Sequence, residues 1–384
     1  MRYPGFAHVR LVSTLVLALV ALMMPGAHST AQVATLPAAT GIAVVTSFIG
    51  LGPSMSNSPD LTIAAGLDRL LVGSNDLVVI RGKDGALIAS TDLQVFFGSV
   101  RAPGEDTVFS PRAVFDPDSE RFFVVAVAND LASACNPATT CVAHYLLAIS
   151  TSSSPSNLDP SDWVFYSLDA TLDNAVATRN FADFADIGVN EQAVVITSIQ
   201  RDMTTNAFVT AKIRRLPKAL LVAGTPVMTS DWQDFVAINV PGTAIRVPVV
   251  HPAAMFGTPG HFFLTSRVPG PASNDCSMVV WSLDNLLATT TLTGKLVAKT
   301  SGCAPSPDAR QPFGLGAAKL RTSNAAGGHT ARPVYRNGSL WDVESVQRTV
   351  SGETVSAVRW MQLNVSAWPA TPTFVQDAFI TAAG

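Results

Sequence analysis

An all-β chain, folded as a β-propeller with about five recognisable blades, is what this sequence predicts, and three observations carry the prediction. The first is composition. Of 384 residues, 48% are hydrophobic and only 14% are charged, with 26 Gly and 25 Pro scattered among short apolar runs. That texture suits many short strands and turns rather than long helices. The second is a local unit, Phe109 to Ala128, FSPRAVFDPDSERFFVVAVA. Val114 and Phe115 end one extended run, Asp116-Pro117-Asp118-Ser119 makes a tight turn, and Arg121 to Val127 returns. Pro117 presets φ for the turn, Asp116 and Ser119 can bond nearby amides, and the following Phe/Val run consists of β-formers. The third is recurrence. A strand, a polar turn, a strongly apolar strand and one or two further strands begin near residues 60, 111, 186, 247 and 332. Units too thin to bury both faces alone must stack, and radial stacking of small sheets is a propeller. A β-sandwich is the competing arrangement of short strands, but it does not require such a repeat.

The chain divides into residues 1–31, a signal peptide; 32–59, a linker or closing strand; and 60–384, the propeller. Arg2 and Arg10 precede Leu11 to Met24, an uncharged run too short to span a bilayer, which needs ~20 residues. Pro25-Gly26 and small residues follow, and cleavage is expected after Ser29 or Ala31. Residues 32 to 59 are rich in Ala, Thr, Ser, Pro and Gly. The first blade then reads as Leu61 to Ala65, Leu70 to Gly73, Leu77 to Arg81 and, after the Asp84-Gly85 hairpin signal, Ala86 to Ser90. The second continues from Phe109–Ala128 with His144 to Ser150 and Trp163 to Leu168. The third runs from Asp186-Ile187-Gly188-Val189 through Ala193 to Ile199 and Phe208 to Arg214, and Leu216 to Val222 has room for one helical turn. The fourth is Val247 to Val250, His261 to Ser266 and Ser277 to Leu283. The fifth is Arg332 to Arg336, the Asn337-Gly338 turn, Ser339 to Val346, Val355 to Leu363 and Thr373 to Ile380.

The formal net charge is −3, and removal of residues 1–31 takes away two arginines and leaves −5. With no basic field, nucleic acid is excluded as a partner. No later run is long and apolar enough to span a membrane, so a chain cleaved in this way has no integral membrane segment and is expected to be secreted, periplasmic or at the cell surface. Cys135, Cys141, Cys276 and Cys303 are an even set in an exported chain. They read as disulfides, with local pairing 135–141 and 276–303 the simplest of three connectivities; no Cys-x-x-Cys supports a metal knuckle.

The ordered phrases FSPRAVFDPDSERFFVVAVA, HYLLAISTSSSP with WVFYSL, DFADIGVNEQAVVIT, and PVYRNGSLW with AVRWMQL resemble a family of uncharacterised secreted bacterial β-propeller-like proteins. Its members carry phrases of the kind "DPRVVYDPLSGRW", "LAVSKTSDP", "DYPSLGVDE" and "RNGSLW". The resemblance spans roughly residues 60 to 380 and implies a propeller with no established enzyme activity. Ala185 stands where the family pattern has Pro, and Asp342-Val343-Glu344 follows Leu340-Trp341 where Ala-Ala-His is usual. Members also continue for another blade or two, which implies a ring incomplete at its C-terminus here.

Candidate chemistry is thin. Asp116, Asp118 and Glu120 alternate as in a loop calcium site, but no glycine follows and few oxygens are offered, so they read as a structural turn with calcium as the alternative and otherwise no cofactor. Glycosidase chemistry needs two carboxylates facing one sugar, and Asp183, Asp186, Asp231 and Asp234 are available without an obvious pairing. Arg112, Arg121, Arg246, Arg267 and Arg332 could supply the arginines of a sialidase-like pocket, but nothing marks three as convergent. His144, His251 and His261 and the six tryptophans read as packing or surface residues. No His-Glu-x-x-His, Gly-x-Ser-x-Gly or phosphate loop occurs. The reading is therefore a non-catalytic scaffold that binds an extracellular protein or glycan. The alternative is an extracellular carbohydrate-active hydrolase; a deep central pocket with two acids and convergent arginines would favour it, and a shallow, apolar or plugged channel would favour binding.

Overall fold

In the computed structural model the five predicted units fold as five largely antiparallel sheets of four or five strands. The structure describes residues 47–48, 51, 60–103, 105, 107–130, 141–268, 277–298, 306–307, 309–310, 319–320 and 332–381. Blade 1 is β1 (Thr62–Ala65), β2 (Arg69–Gly73), β3 (Leu77–Gly82) and β4 (Leu87–Asp92), followed by a single turn of helix, α1 (Leu93–Phe96). Blade 2 is β5 (Thr107–Asp116), β6 (Arg121–Asn129), β7 (Ala143–Ser150) and β8 (Trp163–Asp169). A small hairpin, β9 (Leu172–Asp173) with β10 (Val176–Ala177), leads into blade 3: β11 (Asn180–Val189), β12 (Ala193–Asp202), β13 (Phe208–Pro217), α2 (Lys218–Val222) and β14 (Gln233–Phe235). Blade 4 is β15 (His251–Pro252), β17 (Phe262–Arg267), β18 (Met278–Asp284) and β19 (Thr291–Val297), and β16 (Ala254–Phe256) continues from β15. After the two-stranded pair β20 (Ala309–Arg310) and β21 (Lys319–Leu320), blade 5 is β22 (Val334–Arg336), β23 (Ser339–Val350), β24 (Glu353–Asn364) and β25 (Thr373–Ile380).

Within each blade, neighbours in sequence pair antiparallel, as tight turns demand. The exception joins two blades. β16 leaves blade 4 and pairs in parallel with β22, the inner strand of blade 5. Proline explains the shape of this inner strand. The sequence predicts it over Val247–Val250, but Pro248 has no N–H to give a ladder, and pairing starts instead at His251 opposite Thr265. Two outer strands, β14 and β19, escape the sequence reading because their patterns, Gln-Asp-Phe and TLTGKLV, lack an apolar run. The glycine in the second is required. A Cβ at Gly294 would lie 2.4 Å from the Trp281 ring, so the ring uses the space.

The apolar clusters run between consecutive blades. Phe122, Val124 and Leu146 of blade 2 pack with Leu71, Ile80, Phe96 and Phe97 of blade 1 and α1. The opposite side of blade 2, through Phe123, Val125 and Tyr145, meets Ile187, Val194 and Ile196 of blade 3. A third cluster joins blades 3, 4 and 5 through Ile213, Phe263, Trp281, Leu340 and Met361. Each such buried side chain is worth about 1.5–3 kcal/mol relative to exposure, so stacking, not any single sheet, stabilises the fold. The outward faces of the first and last blades lack that cover. Leu61 and Ile63 on one, and Trp341, Val358 and Ile380 on the other, are exposed. The expected pairing of Gly41–Ile49 with a C-terminal strand lies almost wholly outside the described residues. Phe48, which is described, sits outside any strand and beneath Arg81, 6.0 Å from the guanidinium carbon. The signal segment 1–31 lies outside the described residues. Among those described, no helix is long and apolar enough to cross a membrane.

Candidate functional site

The inner strands place the same register position of every blade beside the axis. Thr62, Arg112, Asp186 and Arg332 each lie four residues before Gly66, Asp116, Asn190 and Arg336, which open the turn to the second strand. His251 holds the corresponding place in blade 4, where it pairs with Thr265 as Asp186 pairs with Thr197. Asp60 lies two residues before the inner strand of blade 1, with φ 44°, in the region that short polar side chains such as Asp tolerate best among non-glycine residues.

Two carboxylates, Asp60 ahead of β1 and Asp186 within β11, each have an arginine nearby. Asp186 receives Nη2 of Arg332 at 2.5 Å, and Nδ1 of His251 lies 3.6 Å from its other oxygen. Arg332 enters from blade 5 and also donates Nη1 to the backbone oxygen of Ala113 in blade 2, so its side chain ties three blades together. Burial works against the Asp186 charge, but Arg332 and then His251 more than offset it and hold the carboxyl well below the usual carboxylate range. Asp186 is therefore an ionised group that takes no proton near neutrality. Two nitrogens of this cluster, His251 Nε2 and Arg332 Nε, are buried without a hydrogen-bond partner. Asp60 is held differently. It accepts from Ser110 Oγ at 3.1 Å and Asn75 Nδ2 at 3.4 Å, and Asn75 in turn fixes the Ser110 amide at 2.7 Å. Arg112 stands 3.8 Å from Asp60, beyond hydrogen-bonding reach.

The other sequence-predicted acids are structural. Asp234 takes a two-pronged contact from Arg214, fully buried between Trp232 and Tyr145, with the guanidinium carbon 4.3 Å from the Trp232 ring centre. Lys212, equally buried, donates to Ala170 and Leu172 carbonyls and meets Asp173 at 2.7 Å, so both cations pin the β9–β10 hairpin against blade 3. Burial lowers the Lys212 pKa, with Asp234 and Asp173 opposing it. Asp183 pairs with Arg201, and Asp231 receives the Met228 amide at a short helical turn.

At the Asp116–Glu120 turn, Asp116 accepts from the Ser119 amide and hydroxyl, as the turn chemistry predicts. Lys218, at the start of α2, then inserts its ammonium between Asp116 and Asp118 at 2.8 and 2.7 Å. Those oxygens serve a lysine and Glu120 is exposed, so the turn is held by a side-chain cation. Among the described residues no group of three His, Cys, Asp or Glu could hold a metal ion. Cys141 is disulfide-bonded, while Cys135, Cys276 and Cys303 lie outside the described residues, as does the pairing.

Three core tryptophans bond through their indole N–H, Trp163 to Asn157, Trp281 to Ser266 and Trp368 to Ser282, while Trp232 Nε1 is buried without a hydrogen-bond partner. His144 meets buried Glu105 at 2.6 Å and His261 meets Asp284 at 2.5 Å, each away from the axial cluster in sequence register. Sequence reasoning named Asp186, His251, Arg112 and Arg332 without bringing them together, and missed Asp60 as a site residue altogether. Aligning the five units on the turn after the inner strand would have found the ring position.

No family model matches the chain, and no curated protein does. Solved structures similar in strand arrangement include the native arabinanase Arb43A of Bacillus subtilis, 11% identical, covering 84% of this chain and 99% of that one with a TM-score of 0.34. An exo-1,5-α-L-arabinanase from a bovine ruminal metagenomic library is 10% identical over 83% of this chain and 97% of its own, TM-score 0.39. The subtype N11 neuraminidase-like protein of influenza A/flat-faced bat/Peru/033/2010 is 8% identical over 78% and 71%, TM-score 0.39. The five-bladed assignment rests on the chain's own strand order. The expectation of a non-catalytic scaffold is corrected at this point: Asp60 with Arg112 and Asp186 with Arg332 supply the acids and arginines that the hydrolase alternative calls for.

Proposed function

We propose that the chain is an exported carbohydrate-active hydrolase whose reaction centre is the axial cluster of Asp60, Asp186, Arg112, His251 and Arg332. The observation that supports it is the pair of carboxylates brought to the axis from different blades and kept in different environments. Glycoside cleavage needs one carboxylate that stays charged and a second carboxyl group that handles the proton. Asp186, held ionised by Arg332, suits the first role, facing the positive charge that develops on the sugar. Asp60 is hydrogen-bonded by neutral groups and has no ammonium or guanidinium within hydrogen-bonding distance, which suits it to exchange a proton. The leader-like N-terminus and the even cysteine count support an extracellular substrate.

The test is release of reducing sugar from a panel of plant and bacterial polysaccharides by purified protein. Asp186→Asn and Asp60→Asn should each lower the rate by at least about a thousandfold while far-ultraviolet dichroism is retained. Absence of sugar release across the panel, or variants as active as the parent, would overturn the assignment.

A further inference from the structure

The axial arginines are not equally engaged, and the difference bears on what the site accepts. Arg214 and Arg332 are each committed to an acid and to backbone carbonyls. Arg214 bonds both oxygens of Asp234 and the carbonyls of Asp169 and Leu172. Arg332 has a carboxylate and a carbonyl, leaving only Nε without a partner. Arg112 is the exception at the axis. Its one hydrogen bond is from Nη1 to the carbonyl of its own neighbour, Pro111, at 2.8 Å. Its approach to Asp60, at 3.8 Å, leaves the guanidinium fork open, and 23% of the side chain is exposed.

A guanidinium carries five N–H donors in a flat fork that matches a carboxylate in two places at once. Arg112 therefore presents, beside Asp60, a guanidinium whose Nε–Nη2 edge makes no hydrogen bond. Charge agrees with this reading. Asp186 is already paired with Arg332, and Asp60 with Arg112 at a longer distance, so the two acids and two arginines balance in charge. A neutral sugar would leave those donors to water alone, whereas an acidic one would satisfy them with charge-assisted bonds.

We propose that the axial site takes an acidic glycan, and that Arg112 receives the carboxylate of the bound sugar. The proposal rests on the hydrolase reading and deepens it by naming a substrate class. Sugar carboxylates come from uronic acids or from sialic acids, and separate arms of the experiment distinguish them.

The experiment measures calorimetric binding and turnover, side by side, for four probes: an oligogalacturonate, the same oligosaccharide after carboxyl reduction, sialyllactose and lactose. Parent protein should bind one acidic probe at least about tenfold more tightly than its neutral counterpart, as expected for one two-pronged charged contact. Arg112→Gln should erase that preference, and Arg112→Lys should recover only part of it, because a point charge lacks the fork. Equal binding of acidic and neutral probes overturns the acidic class, and if neutral sugar is still cleaved the hydrolase reading survives alone. Binding of an acidic probe that depends on Arg112, with no cleavage of any probe, supports the carboxylate site and overturns the hydrolase. Binding of no probe overturns the inference. Thermal unfolding of both variants within about 2 °C of the parent shows that lost binding is not lost folding.

Discussion

Asp186→Asn isolates the axial charge with almost no change of shape. At neutral pH it removes the partner of a short ion pair and leaves Arg332, tied to Ala113, and His251 without their acid. Breaking a fully buried pair costs about 3–5 kcal/mol. Here the Arg332 side chain is 21% exposed, so water recovers part of that, and about 2–3 kcal/mol is expected. The pH dependence separates charge from packing. The folded carboxyl lies below its usual value, so its stabilisation is complete above the unfolded value of about 4 and is lost as pH falls through the folded value. Urea unfolding of parent and variant should therefore differ by about 2–3 kcal/mol at pH 6, and by roughly 1 kcal/mol less at pH 3. A difference under about 0.5 kcal/mol, or one that does not change between those pH values, would refute an ionised Asp186 as the keystone of the axis.

The remaining expectations concern its surroundings. Asp116→Ala leaves the Lys218 ammonium with the half-exposed company of Asp118 and should cost about 2–3 kcal/mol in urea unfolding, while calcium or chelator leaves the parent's melting curve unchanged. Lys212 has a folded pKa below its unfolded value, so the unfolded chain holds that proton more tightly and stability rises as pH climbs from the folded value toward about 10.4. Lys212→Met should flatten this rise between pH 8 and 10, and an identical slope in both proteins would argue against a burdened lysine. Gly294→Ala drives a methyl into the Trp281 ring and should lower stability by about 1–3 kcal/mol, measured by the same denaturation. Peptide mapping without reductant should recover Cys141 in a disulfide, with Cys135 as the expected partner.

What the sequence by itself determined is the repeat. Apolar runs such as Phe122–Val127 and Ala193–Ile196, each preceded by a polar turn, can be satisfied only as central strands of stacked sheets, because both of their faces are apolar. The same local chemistry identified the Asp116 turn, since Asp, Pro and Ser act on their nearest backbone neighbours. Strands without an apolar run, such as β14 and β19, were invisible for the converse reason: their place is set by the neighbour they pair with. The charged network belongs to the tertiary structure alone. Asp186 and Arg332 are separated by 146 residues, and Lys218 and Asp116 by 102, so no local spacing can announce them. Only bringing the blades together pairs Arg112 with Asp60 and gathers Arg332 and His251 around Asp186, and those contacts set which acid stays charged and which arginine is spent.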